Sequence, residues 1–247
     1  MAISPDGKKV ATGGYGGIEI WNTQENKKKA QDISLRPSLS GGLMRCVIFS
    51  PDGMNIATSV NQVTQVWNLN TWKETALLLG HEGDIEQIVF SPNATKLVTG
   101  ATDGTARIWD ISNGKQLAVL KNYAGRSIGL SPDGRMLAAG LFSNSVYLAS
   151  MENGTRLMIA EGHTQPVTML SFSPSGRFLL SADQLGMVLF WHVEVDGQVT
   201  KTPMGIYVAT NEIGAVYWHD EQHVVLADLG GMQNHPHFYH LALDGMW

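Results

Sequence analysis

The sequence predicts an all-β fold made of about six tandem copies of one unit, each a set of four short strands. Three observations predict it. Ser-Pro-Asp-Gly stands at Ser4, Ser50 and Ser131, with relatives at Ser91 (SPNA) and Ser173 (SPSG), at spacings of 46, 41, 40 and 42 residues. About four apolar runs of ~5 residues surround each of these turns, with turn residues between them. No segment has a long helical period, and proline falls almost only in the turns, where a missing N–H is tolerated.

The elements follow in a fixed order. A first strand runs into the turn, as in VIFSPDG, IVFSPNA, IGLSPDG and LSFSPSG. A second leaves it, as in KKVATGG, MNIATSV, TKLVTGA, RMLAAGL and RFLLSAD. A third ends in an aromatic in most copies: IEIWN, VTQVWN, ARIWD, VYLAS and VLFWH. The fourth is more variable, as in KQLAVL and TRLMIA. A degraded sixth copy reads AVYWHDEQHVVLAD and then HFYHLALDG, and matching it to WHVEVDG puts Tyr239 in the position of Trp191.

The third copy, GHEGDIEQIVFSPNATKLVTGATDGTARIWD from Gly80 to Asp110, carries a Gly-His start, a Phe-Ser-Pro turn, an Asp-Gly-Thr turn and a Trp-Asp end. With the other copies in register, the chain resembles the WD-repeat (β-transducin-like) family over essentially its whole length. The resemblance implies a β-propeller, and a repeat of 40–45 residues suits its four-stranded blades. One domain, 1–247, is expected, with approximate blades 1–40, 41–80, 81–121, 122–161, 162–209 and 210–247, the last incomplete. The innermost strand of the first copy is expected to be short or frayed. The ends fit either an excerpt of a seven- or eight-bladed ring or a six-bladed ring closing by direct packing of the last blade on the first.

One blade cannot bury both faces, so Phe49, Phe90 and Phe172 are expected to fill the space between neighbours. The family's hydrogen-bond network, carried over by position, falls on His81, Thr99, Asp103 and Trp109. The fifth copy keeps His163, Ser181 and Trp191 but has Leu185 at the Asp position. The first and second keep Trp21 and Trp67 without the His, and the fourth has Ala149 for Trp. One blade is therefore expected to carry the full network, with stability weakest around the fourth and sixth copies.

Composition narrows function. The 247 residues are 43% hydrophobic and 16% charged, with net charge −5 and one cysteine, Cys46. There is no basic stripe of the kind a general nucleic-acid binder carries, no signal-like N-terminus and no apolar run approaching the ~20 residues of a membrane span. A lone thiol excludes an internal disulfide and suits a reducing, cytoplasmic setting.

Three motifs invite a chemical reading, and each is outweighed. His81, Thr99 and Asp103 have the composition of a hydrolytic triad, but nucleophilic catalysis needs an exposed, activated hydroxyl beside an oxyanion hole, and the family register buries the threonine under Trp109. His219, His223, His235, His237 and His240 cluster near the end, but the strands between them separate the loops by roughly 17 Å, so all five cannot share a metal. Gly13-Gly14-Tyr15-Gly16-Gly17 joins two strands and opens no helix, so it reads as a hairpin turn, not a phosphate loop. No catalytic residue, metal or cofactor is expected.

The resemblance implies a partner surface made by the loops between blades and the first residues of each innermost strand: Leu43, Arg45, Asp84, Glu86, Tyr123, Arg126, Pro166, Thr168, Asn211 and Ile213. Arginine and tyrosine are good interface anchors, and Asp84 and Glu86 mix the charge. The expected function is a non-enzymatic scaffold for other proteins or peptides, with no nucleic acid, membrane insertion or small-molecule substrate. The alternatives are a regulatory or sensor module of a larger signalling NTPase or kinase and, more remotely, a propeller hydrolase.

Overall fold

The serine turns set the register of the fold. In all five, the serine carbonyl accepts the amide of the residue three on (Gly7, Gly53, Ala94, Gly134, Gly176) at 2.8–2.9 Å. The serine hydroxyl accepts the amide of the residue five on (Lys9, Asn55, Lys96, Met136, Phe178) at 2.8–3.2 Å. The residue closing the turn is left-handed, with φ 68° at Gly53 and φ 54° at Ala94, so glycine suits it and Ala94 carries strain. Such a turn feeds two antiparallel strands with no slack.

The computed structural model describes residues 1–14, 17–23, 42, 44–194, 200, 203–209, 211–230 and 237–243, with backbone alone at 124–126 and 206. Among these, all regular structure is antiparallel strand, in six sheets of three or four strands. The chain divides into two compact units, Met1–Lys121 and Asn122–Trp247.

In the first unit, sheet one has β1 (Ala2–Ile3), β2 (Lys9–Gly14) and β3 (Gly17–Asn22). Sheet two has β4 (Met44–Phe49), β5 (Asn55–Val60), β6 (Val63–Asn68) and β7 (Glu74–Leu78). Sheet three has β8 (Ile85–Phe90), β9 (Lys96–Ala101), β10 (Thr105–Asp110) and β11 (Gln116–Lys121). In the second unit, sheet four has β12 (Tyr123–Leu130), β13 (Met136–Leu141), β14 (Val146–Ser150) and β15 (Arg156–Ala160). Sheet five has β16 (Val167–Phe172), β17 (Phe178–Asp183), β18 (Met187–His192) and β19 (Gly205–Val208). Sheet six has β20 (Ile213–Trp218), β21 (His223–Asp228) and β22 (Phe238–Ala242). Strand order follows chain order in every sheet. Of the glycine run, β2 and β3 pair Gly14 with Gly17, while Tyr15 and Gly16 lie outside the described residues.

Within each unit the core lies between successive sheets. Phe49 packs with Ala11, Ile18 and Ile20 of sheet one, Phe90 with Ala57 and Val66 of sheet two, and Phe172 with Ala138 and Leu148 of sheet four. All three phenylalanines are buried, as the repeat logic requires. A fourth cluster joins Leu180 and Phe190 of sheet five to Val224 and Leu226 of sheet six.

Sheet six corrects the reading of Tyr239. Trp191 pairs with Leu179, and the equivalent pair in sheet six is Leu241 with Val224, so leucine holds the tryptophan place. Tyr239 lies two residues nearer the β21–β22 turn, where its hydroxyl donates to Asp228 at 3.0 Å. That bond, with the His237 amide on the same carboxylate at 2.8 Å, fixes the shifted register.

Candidate interaction surface and the buried polar networks

The polar residues most suggestive of chemistry are consumed inside the sheets. Thr99 lies on β9 opposite Arg107, two residues before Trp109 on β10. The Trp109 indole N–H donates to the Thr99 hydroxyl at 2.8 Å, and that hydroxyl lies 2.7 Å from His81 Nε2. His81 Nδ1 lies 2.8 Å from Asp103 Oδ2, which also accepts the Glu82 amide at 3.0 Å. The arrangement orders the protons: Thr99 donates to Nε2 and Nδ1–H donates to the carboxylate. Burial lowers the His81 pKa despite the neighbouring carboxylate. Burial also pushes the Asp103 carboxyl up, but bonds from the Thr105 hydroxyl, the Glu82 amide, His81 and the Thr105 amide outweigh it and hold it at about 2.

A second complete network stands in sheet five, where the sequence suggested an incomplete one. Trp191 Nε1 donates to Ser181 Oγ at 2.8 Å, Ser181 Oγ is 2.7 Å from His163 Nε2, and His163 Nδ1 is 3.2 Å from Asp183 Oδ2. The acid is Asp183 at the end of β17, not a residue at the Leu185 position in the turn. A carboxylate at the strand end reaches the same ring nitrogen, and its other oxygen accepts the Leu185 and Met187 amides at 3.0 Å each. Burial lowers the His163 pKa as it does that of His81.

The other sheets hold parts of this set. In sheet one, Trp21 donates to Thr12 at 3.2 Å. In sheet two, Thr58 Oγ1 and Trp67 Nε1 are buried with no partner among the described residues. In sheet four the equivalent positions are Ala139 and Ala149, both buried. Sheet six is organised on Asp228, which accepts from Asn211, Gly230, His237 and Tyr239. Bonds from the His237 amide above all hold its carboxyl far below the usual range, against burial.

The predicted surface residues fare unevenly. Arg45 is exposed and donates to Asp84 at 3.0 Å and Glu86 at 3.2 Å, tying β4 to the next sheet. Pro166 and Thr168 are half-buried, and Asn211 is engaged with Asp228. Tyr123 and Ile213 are corrections: both are fully buried, because they open β12 and β20 and pair with Leu141 and Asp228. Leu43 and the Arg126 side chain lie outside the described residues.

Sequence reasoning missed the exposed apolar tips of the second unit, Phe142, Leu185 and Leu229. Their signal was a large apolar residue in a turn of ordinary polar composition. Among the described residues, no group of three or more His, Cys, Asp or Glu side chains could hold a metal ion, and no helix is long and apolar enough to cross a membrane. His235 lies outside the described residues, and His223 pairs with Asp220 at 2.8 Å.

Sheets of this strand order, with a His–Ser/Thr–Asp–Trp network, define a WD-repeat chain of the β-propeller class. The family model "WD domain, G-beta repeat" matches residues 72–110 and 154–192, which hold both complete networks, and these two stretches of the chain are WD repeats. It is 26% identical over 198 residues to a guanine nucleotide-binding protein subunit beta of Arabidopsis thaliana, covering 73% of this chain and 52% of that protein. It is 29% identical over 163 residues to the small ribosomal subunit protein RACK1y of Oryza sativa subsp. japonica, covering 62% and 48%. With the periodic tryptophan protein 2 homolog of Dictyostelium discoideum the identity is 27% over 195 residues, covering 76% and 21%. The chain thus spans about half the length of these curated relatives, or less.

Proposed function

We propose that the chain is a non-enzymatic protein-interaction module that presents the ends of its sheets to other proteins or peptides. One observation carries the reading. The histidines, hydroxyls and carboxylates that could be catalytic are bonded to one another in the core, so they maintain the sheets, and Thr99 and Ser181 are closed to a substrate. The relatives named as a guanine nucleotide-binding subunit and a small ribosomal subunit protein are, by those names, components of assemblies, which supports the same reading. The contact set we favour is Arg45, Asp84, Glu86, Pro166, Thr168 and Arg126. With net charge −5, nucleic acid is a poor partner, and the single thiol, Cys46, suits the reducing cytoplasm.

The test is cross-linking of the full chain in a native extract, read by mass spectrometry. The parent should return a reproducible partner set linked through the sheet ends. Arg45→Ala with Glu86→Ala should thin that set without lowering the melting temperature, since exposed ion pairs contribute only ~0–1 kcal/mol. Background partners alone, with variants that behave as the parent, would refute the proposal.

A further inference from the structure

The turns between second and third strands differ in kind between the two units. In the first unit the described turns are polar: Asn61-Gln62 in sheet two and Thr102-Asp103-Gly104 in sheet three. In the second unit they carry Phe142, Leu185 and Leu229, which are 67%, 65% and 60% exposed. Val208, at the end of β19 opposite Met187, is 64% exposed. Polar turns between apolar strands are the rule, and a local rule broken three times in succession marks a functional surface.

These side chains stand on fixed backbone. The Phe142 amide donates to the Asn122 carbonyl at 3.2 Å, and Asn144 Nδ2 reaches the Thr164 carbonyl at 3.0 Å. The Leu185 turn is held by Asp183, and the Gln184 amide donates to the Pro166 carbonyl at 3.1 Å. Gly186, at φ 84°, lies so near the next loop that a Cβ there would come within 2.4 Å of the Asn211 carbonyl oxygen. The Leu229 amide donates to the Glu212 carbonyl at 2.9 Å. Each tip is thus tied to the loop entering its own or the next sheet, so the three line one end of the unit, about 10 Å apart as packed sheets are. Fixed anchors of this kind bind with little loss of conformational freedom.

Charge names the occupant. Glu161 and Glu212 lie in the loops beside the tips, and the Asp183 and Asp228 carboxylates sit just beneath them. Within the unit no lysine or arginine side chain is described at this end; the basic residues nearest it are the exposed Lys121, which precedes Asn122, and Arg126 of β12, whose side chain is not described, against the four acids. We propose that Phe142, Leu185, Leu229 and Val208 form the docking site for a cationic peptide segment that places apolar side chains about 10 Å apart between lysines or arginines. The proposal rests on the interaction-module reading and specifies the chemistry of the partner.

The test uses three fluorescein-labelled peptides of equal length, built from leucine and lysine, leucine and glutamate, or serine and lysine. Each is titrated by fluorescence anisotropy against the full chain and the triple variant Phe142→Ser, Leu185→Ser, Leu229→Ser. The leucine–lysine peptide should bind about tenfold or more tighter than either control, and the variant should lose about that factor with an unchanged melting curve. Equal binding of the three peptides, preference for the glutamate peptide, or a variant that binds as the parent overturns the proposal. So does concentration-dependent dimerisation abolished by the variant without peptide binding, which would assign the surface to a second copy. The ranking on the parent chain decides the matter if the variant fails to fold. Loss of cross-linked partners in the Arg45 and Glu86 variant beside a silent tip variant leaves the interaction-module reading standing and removes this one. Tip-dependent peptide binding beside a cross-linking set that ignores the Arg45 and Glu86 variant leaves this site standing and removes only the contact set built on Arg45 and Glu86.

Discussion

Thr99→Val and Thr58→Val are the same substitution at equivalent places, each opposite the residue that stands two before its sheet's tryptophan, and the structure gives them opposite outcomes. Thr99 Oγ1 lies 2.8 Å from Trp109 Nε1 and 2.7 Å from His81 Nε2, with all three residues buried. Valine preserves the shape and strands both partners. A buried polar group left unmet costs about 1–3 kcal/mol, so the loss is about 2–6 kcal/mol. At about 2–4 °C per kcal/mol for a chain of this size, the melting temperature should fall by at least ~4 °C. Thr58 Oγ1 has no partner among the described residues, so valine there removes a buried, unmet hydroxyl and no bond. Its effect should be neutral or stabilising. Guanidinium unfolding followed by far-ultraviolet circular dichroism measures both. Equal losses, or a Thr99→Val loss under ~1 kcal/mol, would show that the network is not what holds sheet three.

Asp183→Leu should cost about 3 kcal/mol or more, since it takes an acceptor from His163 and from the Leu185 and Met187 amides, while Leu185→Ala in the exposed turn should stay within about 0.5 kcal/mol; matching unfolding curves would show that Asp183 does not hold the sheet-five network. Stability should also fall with acid. Both His81 and His163 are held below their ordinary 6.5, so the unfolded chain takes up protons first, and the stability from keeping them neutral is complete above that value and lost as pH falls below it. Asp103, held at about 2 against an ordinary 3.8, adds a second loss below pH 3.8. Thermal melts that stay level between about pH 7.5 and 5 would contradict the histidine part. Tyr239→Phe should cost about 1 kcal/mol, because Asp228 keeps its other donors; no loss in chemical denaturation would place the Tyr239 hydroxyl outside the sheet-six network.

The strand order, and the register of the hairpin at each of the five serine turns, were legible because the serine turn states its own geometry: a hydroxyl, a left-handed closing residue and an apolar run on either side. Asp103 was legible because it sits in the Asp-Gly-Thr turn. Asp183 was not, because matching position by position pointed to Leu185, and only the fold shows that a strand-end carboxylate reaches the same imidazole. Tyr239 misled for a related reason: the segment between β21 and β22 is longer than its counterpart in sheet five, and sequence spacing does not reveal where pairing resumes. The Arg45 ion pairs depend on how one sheet lies against the next, which no single repeat encodes.

The distribution of the networks also moves the expected weak point. A sheet without the tryptophan network is not thereby weak. Sheet four replaces it with Ala139 and Ala149 beside the buried Val146 and Leu148, and apolar packing in place of a buried polar set is often neutral or better. Sheet two is the frustrated one. It keeps Thr58, Thr64, Gln65 and Trp67, and each has a buried polar atom with no partner among the described residues. Opening lets water reach those groups, so the free energy of local opening is lowest where most of them lie. Amide exchange should therefore be faster in β5 and β6 than in β9 and β10 or in β13 and β14, although all three pairs are equally buried second and third strands. Slower exchange in β5 and β6 than in β13 and β14 would restore sheet four as the weaker, and would mean that a missing tryptophan weighs more than an unmet one.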